Sequence, residues 1–151
     1  MALTNEEYLT LRQYCGLSQQ DAAEFHGIKN DKTIRRWEKG QSDVSEVASE
    51  KLLWLNSQID MMVKAFINAI DENTNFTFLT YSPEDIDMIP ASHPIPPMAY
   101  NAAFRRLWLS LKEDNKPAHL VRMDRKKYIE WLAGRKDSLE YRIKWATEQI
   151  S

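Results

Sequence analysis

The stretch that decides the fold is Leu17–Gly40, with the sequence LSQQDAAEFHGIKNDKTIRRWEKG, and it predicts two short helices joined by a tight turn. Ser18 is a residue type that caps helix N-termini, because its hydroxyl accepts a hydrogen bond from a backbone N–H of the first turn. Gly27 suits the left-handed residue that closes a helix. Either Asn30 or Asp31 can cap the helix that follows, and the final glycine of the stretch marks its end.

The second helix of this stretch, predicted over residues 31–39, has an apolar back and a basic front. Ile34, Trp37 and Glu38 are three and four residues apart, so they share one face. Between residues 29 and 39 five basic residues stand against two acidic ones, although the whole chain has a formal net charge of −2. Such a helix concentrates anion binding on one side of the protein. The alternative is that the charge run is only a solvated helix surface.

Together with residues just upstream, this pattern resembles the Cro/C1-type (XRE) helix-turn-helix of bacterial and phage regulators. The residues that carry the resemblance are Leu11-Arg12, Gly16-Leu17-Ser18-Gln19, Gly27-Ile28 and Thr33-Ile34-Arg35-Arg36-Trp37-Glu38-Lys39-Gly40. They fall within residues 4–56, about a third of the chain. The resemblance implies a lambda-repressor-like bundle that binds double-stranded DNA. It also implies a structural ion pair between Arg12 and Glu38, with a phosphate contact as the alternative role for the arginine.

The contacts expected with DNA follow from how such helices dock. An α-helix fits the major groove, where each base pair presents a distinct edge. Residues at the N-terminus of the second helix reach the bases, and flanking groups hold the phosphates. We predict base contacts from Asp31, Lys32, Thr33, Arg35 and Arg36. We predict phosphate contacts from Ser18, Gln19, Lys39, Gln41 and Ser42.

These expectations describe a sequence-specific transcriptional regulator, a dimeric repressor that places helix 31–39 in the major groove of an inverted-repeat operator. Helix-turn-helix proteins usually dimerise, because one head buries too little surface for high specificity. Two alternatives stay open. One is a protein-interaction module of the antitoxin type that uses the same fold, and the other is an RNA-binding regulator.

After Gly40 a long amphipathic helix is predicted to about residue 71. Residues 41–43 look like a capping signal, and apolar residues then recur at threes and fours: Val44, Val47, Ala48, Leu52, Leu55, Ile59, Met62, Phe66 and Ile70. This helix is longer than a small bundle needs, so its second half is expected to pack against another module or a partner subunit. We therefore divide the chain into a DNA-binding domain over residues 1–70 and an α+β dimerisation or accessory module over residues 71–151.

The second module is predicted to contain two short strands and three to four helices. Residues 76–81 and 118–123 have strand composition, and a helix over about 98–115 lies between them. This order fits a parallel crossover. Asp124 and Asp137 read as helix starts near the C-terminus. The fold class is thus mainly α (α+β), and the whole chain is similar to YdiL-like proteins and to repressors that accompany anti-CRISPR genes.

Catalytic and membrane signals are weak in this sequence. Cys15 is the single cysteine, and His26, His93 and His119 are far apart and lack metal-ligand spacing with it. There is no glycine-rich phosphate loop. We expect no enzyme activity, no metal and no cofactor. No leader pattern or bilayer-length apolar run is present, so a cytoplasmic protein without membrane contact is expected. The aromatic second module could hold a small effector, but no residue pattern names one.

Overall fold

The computed structural model of the chain describes residues 1–71 and 73–150 and is mainly helical with one small sheet. The α-helices are α1 Asn5–Tyr14, α2 Gln19–His26, α3 Lys32–Glu38, α4 Glu46–Ala69, α5 Pro97–Glu113, α6 Arg125–Leu132 and α7 Leu139–Glu148. A 3-10 helix covers Pro83–Met88, and the strands are β1 Thr77–Thr80 and β2 His119–Arg122. The mainly helical class with two short strands is thereby confirmed. Glu72 and Ser151, inside the predicted 71–151 module, lie outside the described residues.

The first two helices begin with capping boxes that the sequence encodes locally. Thr4 accepts from the Glu7 N–H while the Glu7 carboxylate accepts from the Thr4 N–H. Ser18 and Asp21 repeat this arrangement at the start of α2. Gly27 closes α2 with a φ of +70°, as its position in the sequence predicts.

The start of α3 is organised by Asn30 and not by the side chain of Asp31. The Asn30 Oδ1 atom accepts from the Lys32 N–H at 3.0 Å, whereas Asp31 makes no capping hydrogen bond. The helix covers Lys32–Glu38, so it is one residue shorter at each end than the predicted 31–39. Of the two candidates, Asp31 is the N-cap residue by position, and Asn30 supplies the side-chain hydrogen bond.

Helix α4 is the long amphipathic element that the sequence predicts, and it begins at a different residue. Ser45 caps it by accepting from the Ala48 N–H at 3.1 Å, so the predicted signal at residues 41–43 is wrong. Leu52, Leu55 and Ile59 are fully buried along one side. Val47 was predicted on that stripe but is 76% exposed, because it lies on the opposite face of the helix.

The two strands pair in parallel, with Thr77 opposite His119 and Thr80 opposite Arg122. The connection between them contains the 3-10 helix and α5, which is the predicted crossover. Just beyond β1, the Asn101 side chain of α5 hydrogen-bonds to both backbone groups of Tyr81. Its Oδ1 accepts from the Tyr81 N–H at 3.0 Å, and its Nδ2 donates to the Tyr81 carbonyl at 2.8 Å.

Helix α5 connects the N-terminal helices to the rest of the molecule. Ala99, Ala102 and Ala103 of α5 belong to the same buried cluster as Tyr8, Ile34 and the other core residues of α1–α4. Leu107 and Leu111, further along α5, pack with Phe78 of β1. The boundary predicted after residue 70 falls between α4 and β1, but the cores on its two sides meet on one helix.

Candidate nucleic-acid interface

Helix α3 is held from behind by an aromatic cluster. Ile34 is fully buried, and the buried Trp37 ring meets the Tyr8 ring edge-on, with 5.2 Å between their centroids. The His26 ring lies 6.1 Å from the Trp37 ring, also edge-on, and its Nε2 is 2.9 Å from the Tyr8 hydroxyl oxygen. These contacts fix which side of α3 faces the interior.

The position of His26 makes it a neutral core residue. Burial, together with the nearby charge of Lys51, lowers the pKa of His26 to about 4. Burial also raises the pKa of the Tyr8 hydroxyl. Both groups are therefore uncharged at neutral pH, which suits an apolar setting between α1, α2 and α3.

The predicted ion pair between Arg12 of α1 and Glu38 of α3 is present and bidentate. Arg12 Nε donates to Glu38 Oε2 at 2.6 Å, and a terminal nitrogen donates to Glu38 Oε1 at 2.8 Å. The other terminal nitrogen donates to the Leu17 carbonyl at 2.7 Å. Since the guanidinium is committed to these partners inside the protein, the structural role of Arg12 is favoured over a phosphate contact.

The C-terminal end of α3 is tied to the start of α1. The Asn5 amide donates to the Trp37 carbonyl at 2.6 Å and to the Ser42 carbonyl at 2.9 Å. It therefore bridges the last turn of α3 and the segment that leads to α4. No sequence pattern predicts this role of Asn5, because a side-chain contact across more than 30 residues leaves no local signal.

The opposite side of α3 is basic and open to solvent. Lys32, Arg36 and Lys39 are exposed, and none of them pairs with another side chain in the described part of the protein. Arg35 is also exposed, but its guanidinium lies 2.8 Å from the Asp31 carboxylate four residues earlier. Thr33 is half-buried beside them. Three free cations thus line one face of a helix whose other face is fixed.

The Asp31–Arg35 ion pair makes these two predicted base-contacting residues less available to DNA than Lys32 and Arg36. The Asp31 carboxylate already has a cationic partner, and that contact also restrains the Arg35 side chain. The ion pair is partly exposed, so it is weak enough to be exchanged for another partner. Lys32 and Arg36 are the predicted base-contacting cations that need no such exchange.

The predicted phosphate-contacting residues flank α3 in the chain, and some of them already have partners. Ser18 accepts the capping hydrogen bond of α2, which leaves its own hydroxyl hydrogen available. Gln19 is half-buried and donates to Glu38 Oε1 at 3.2 Å, which uses one of its two amide hydrogens. Lys39, Gln41 and Ser42 are exposed after α3.

A second basic cluster, around β2 and the start of α6, has a member that is paired with acidic residues. The cluster consists of Lys116, Arg122, Arg125, Lys126 and Lys127. Arg125 at the start of α6 pairs with Asp85 at 3.0 Å and with Asp87. Its neighbours Lys126 and Lys127 are exposed. The acidic residues of the 3-10 helix thus neutralise part of the charge that the sequence displays there.

The chain has no detected similarity to known protein families, and the described residues show neither a metal site nor a membrane-spanning helix. No family model matches the chain, and no curated protein is significantly similar to it. Within residues 1–71 and 73–150, no three His, Cys, Asp or Glu side chains are grouped so that they could hold a metal ion. In the same ranges, every helix is too short or too polar to cross a bilayer.

Proposed function

We propose that the protein is a sequence-specific DNA-binding regulator of the Cro/C1-type helix-turn-helix class, with α2 and α3 as the motif and α3 as the recognition helix. The observation that carries the proposal is the division of α3 into two faces. On one face, Trp37 packs against Tyr8 of α1 and Glu38 is held by Arg12 of α1. The other face of α3 presents free cations, and an α-helix is of a size that fits the major groove.

The proposed contacts differ in what they recognise. Arg36 can donate two parallel hydrogen bonds to a guanine, and Lys32 can donate to guanine acceptors. The Thr33 methyl group can meet a thymine methyl. Lys39, Gln41 and Ser42 on one side and Ser18 and Gln19 on the other would hold phosphates and set the register. Repression would follow from occupation of a promoter.

Replacing Arg36 tests the base contact directly. Selection of bound sites from random duplexes supplies an operator, and gel-shift titrations then compare it with a scrambled duplex. Arg36→Ala should weaken operator binding by about 1–3 kcal/mol and relax the preference at one base position. Arg36→Lys keeps the charge but loses the two parallel donors of the guanidinium. It should therefore retain most of the affinity for any duplex and little of the preference at that base position.

Two lysine variants control this experiment. Lys39→Ala should weaken binding to all duplexes alike and flatten the salt dependence, because it removes a phosphate contact. Lys144→Ala removes the same charge from the exposed face of α7 and should change neither quantity. Unchanged operator affinity in Arg36→Ala would contradict the recognition role of α3. Absence of any salt-dependent DNA binding would favour the protein-interaction module, and tighter binding to RNA than to DNA would favour the RNA-binding regulator.

A second copy of the chain is the proposed partner of the outer face of α4. Six residues at alternating spacings of three and four are all exposed there: Val47, Glu50, Trp54, Ser57, Met61 and Lys64. This spacing is that of a helix–helix seam. If two α4 helices run antiparallel about Ser57, Glu50 of one copy lies opposite Lys64 of the other. Trp54 of one copy then lies beside Met61 of the other, in an interface with twofold symmetry.

Truncating Trp54 tests this interface. Trp54→Ala should raise the dimer dissociation constant by about tenfold to a hundredfold, because large aromatic residues dominate such contacts. Sedimentation velocity over a micromolar concentration series measures the change. Leu109→Ala is the control, because Leu109 is an exposed apolar residue on α5, away from the seam. A monomeric wild-type protein, or a larger effect of Leu109→Ala, would contradict the proposal.

A further inference from the structure

A cavity of about 280 Å³ lies where α4, β1, α5 and α7 meet. None of the side chains that line it carries a charge at neutral pH. Five of the lining residues are aromatic: Phe66, Phe78, Tyr81, Tyr100 and Phe104. Leu139 and Ile143 of α7 add apolar side chains to the lining.

The aromatic side chains offer surfaces that suit a flat ring. The Phe66 ring meets the Phe78 ring edge-on, with 5.3 Å between centroids. The Phe104 ring lies nearly parallel to Phe78, at 5.9 Å and an interplanar angle of 20°. Aromatic rings prefer such edge-on and offset parallel neighbours, so a planar ligand would find the same kinds of contact.

The amide side chains in the wall are already hydrogen-bonded within the protein. Asn101 is bound to the Tyr81 backbone through both of its polar atoms. Asn75 accepts from the Thr77 N–H at 2.8 Å and donates to the Thr147 hydroxyl at 3.1 Å. A charged ligand would lose its hydration here without gaining an ionic partner, which is costly. Recognition in this cavity therefore depends on shape and apolar contact.

We propose that this cavity binds a neutral aromatic molecule of about two fused rings. Its volume is about twice that of an apolar cavity of roughly 150 Å³ that holds benzene. A neighbouring cavity of about 200 Å³ lies against Phe66, Tyr100 and Phe104 as well, so these half-buried rings have free space behind them. These side chains therefore have room to move when a ligand enters. This binding site is independent of the DNA-binding proposal.

Indole is the probe that tests the site in the full-length protein. NMR spectra of methyl-labelled protein are recorded during an indole titration. The methyl signals of Leu79, Ile89 and Ile143 should shift and reach saturation, because these residues line the cavity. The signals of Ile34 and Leu52, buried in the N-terminal core, should not follow them. The benzoate anion should bind at least tenfold more weakly than indole.

Variants at the rim of the cavity complete the test. Leu139 is 58% exposed, so Leu139→Trp should leave the fold intact, fill the opening and weaken indole binding at least tenfold. Ile129→Trp on α6 is the matched control, because Ile129 is 57% exposed and does not line the cavity. Ile143→Phe, inside the cavity, should weaken binding similarly. No saturable shift, shifts confined to the N-terminal core, or full binding by both cavity variants would overturn the proposal.

Discussion

Arg12→Ala should lower the free energy of unfolding by about 3–5 kcal/mol, because it leaves the Glu38 carboxylate buried without its partner. The two side chains are only 9% and 6% exposed, so the remaining carboxylate is largely shielded from solvent. The substitution also removes the hydrogen bond to the Leu17 carbonyl. Urea denaturation followed by circular dichroism measures the change.

A surface ion pair and a double variant control this experiment. Arg35→Ala breaks the pair with Asp31, whose partners are 48% and 27% exposed, and should cost at most about 1 kcal/mol. The double variant Arg12→Met with Glu38→Leu should be more stable than Arg12→Ala, because no buried charge remains without a partner. The role of the pair as a joint between α1 and α3 would be refuted by equal losses in Arg12→Ala and Arg35→Ala.

Gly16→Ala should destabilise the protein by about 2–5 kcal/mol through two separate effects. Gly16 has a φ of +78°, a conformation that costs an alanine about 1–2 kcal/mol. A Cβ atom there would also lie 3.0 Å from the Met98 carbonyl oxygen and 3.2 Å from the Ala102 Cβ, and such overpacking adds about 1–3 kcal/mol. Thermal and urea unfolding measure the total.

Gly27→Ala separates the two effects. Gly27 has a similar φ of +70°, but no atom lies within 4 Å of the position that a Cβ would take. It should therefore lose only the conformational part, about 1–2 kcal/mol. The difference between the variants measures how tightly α5 packs on the turn between α1 and α2. Equal losses would show that this close contact contributes nothing to stability.

Features of the fold that depend on neighbours in the chain could be predicted from the sequence. The capping boxes at Thr4 and Ser18 use partners three residues away, and Gly27 closes α2 through its own backbone. The two strands were predictable in the same way, because the first is a run of aromatic and β-branched residues and the second is a short, largely apolar run that follows Pro117. Their parallel pairing followed from the helix between them.

Features that depend on which of several possible partners a side chain takes were predicted less well. Asp137 was predicted to start the last helix, but Ser138 caps it by accepting from the Tyr141 N–H. Asp137 instead accepts hydrogen bonds from Tyr128 and Arg142, and these bonds, with the arginine contributing most, lower its pKa to about 2. Two adjacent residues that both suit a cap cannot be ranked until the competing partner of one of them is known.

The candidate interface was predictable only in part, because some of its features follow from helical periodicity and others depend on contacts between separate helices. The exposure of Lys32 and Arg36 follows from helical periodicity once Ile34 and Trp37 are assigned to the core. The Arg12–Glu38 pair was expected only because the sequence resembles a known family. The Asp31–Arg35 contact joins residues four apart in the chain. Water and the proposed DNA contacts are alternative partners for both side chains, and the sequence alone does not determine which partner each side chain binds.

The hydrogen bonds between Asn101 and Tyr81 protect part of the edge of the two-stranded sheet from pairing with other molecules. A two-stranded sheet could complete itself by recruiting a strand from another molecule, which is a route to domain exchange and to fibrous aggregation. At Tyr81 an amide side chain occupies the donor and the acceptor that an incoming strand would need. Helix α5 thereby blocks intermolecular strand addition at this residue.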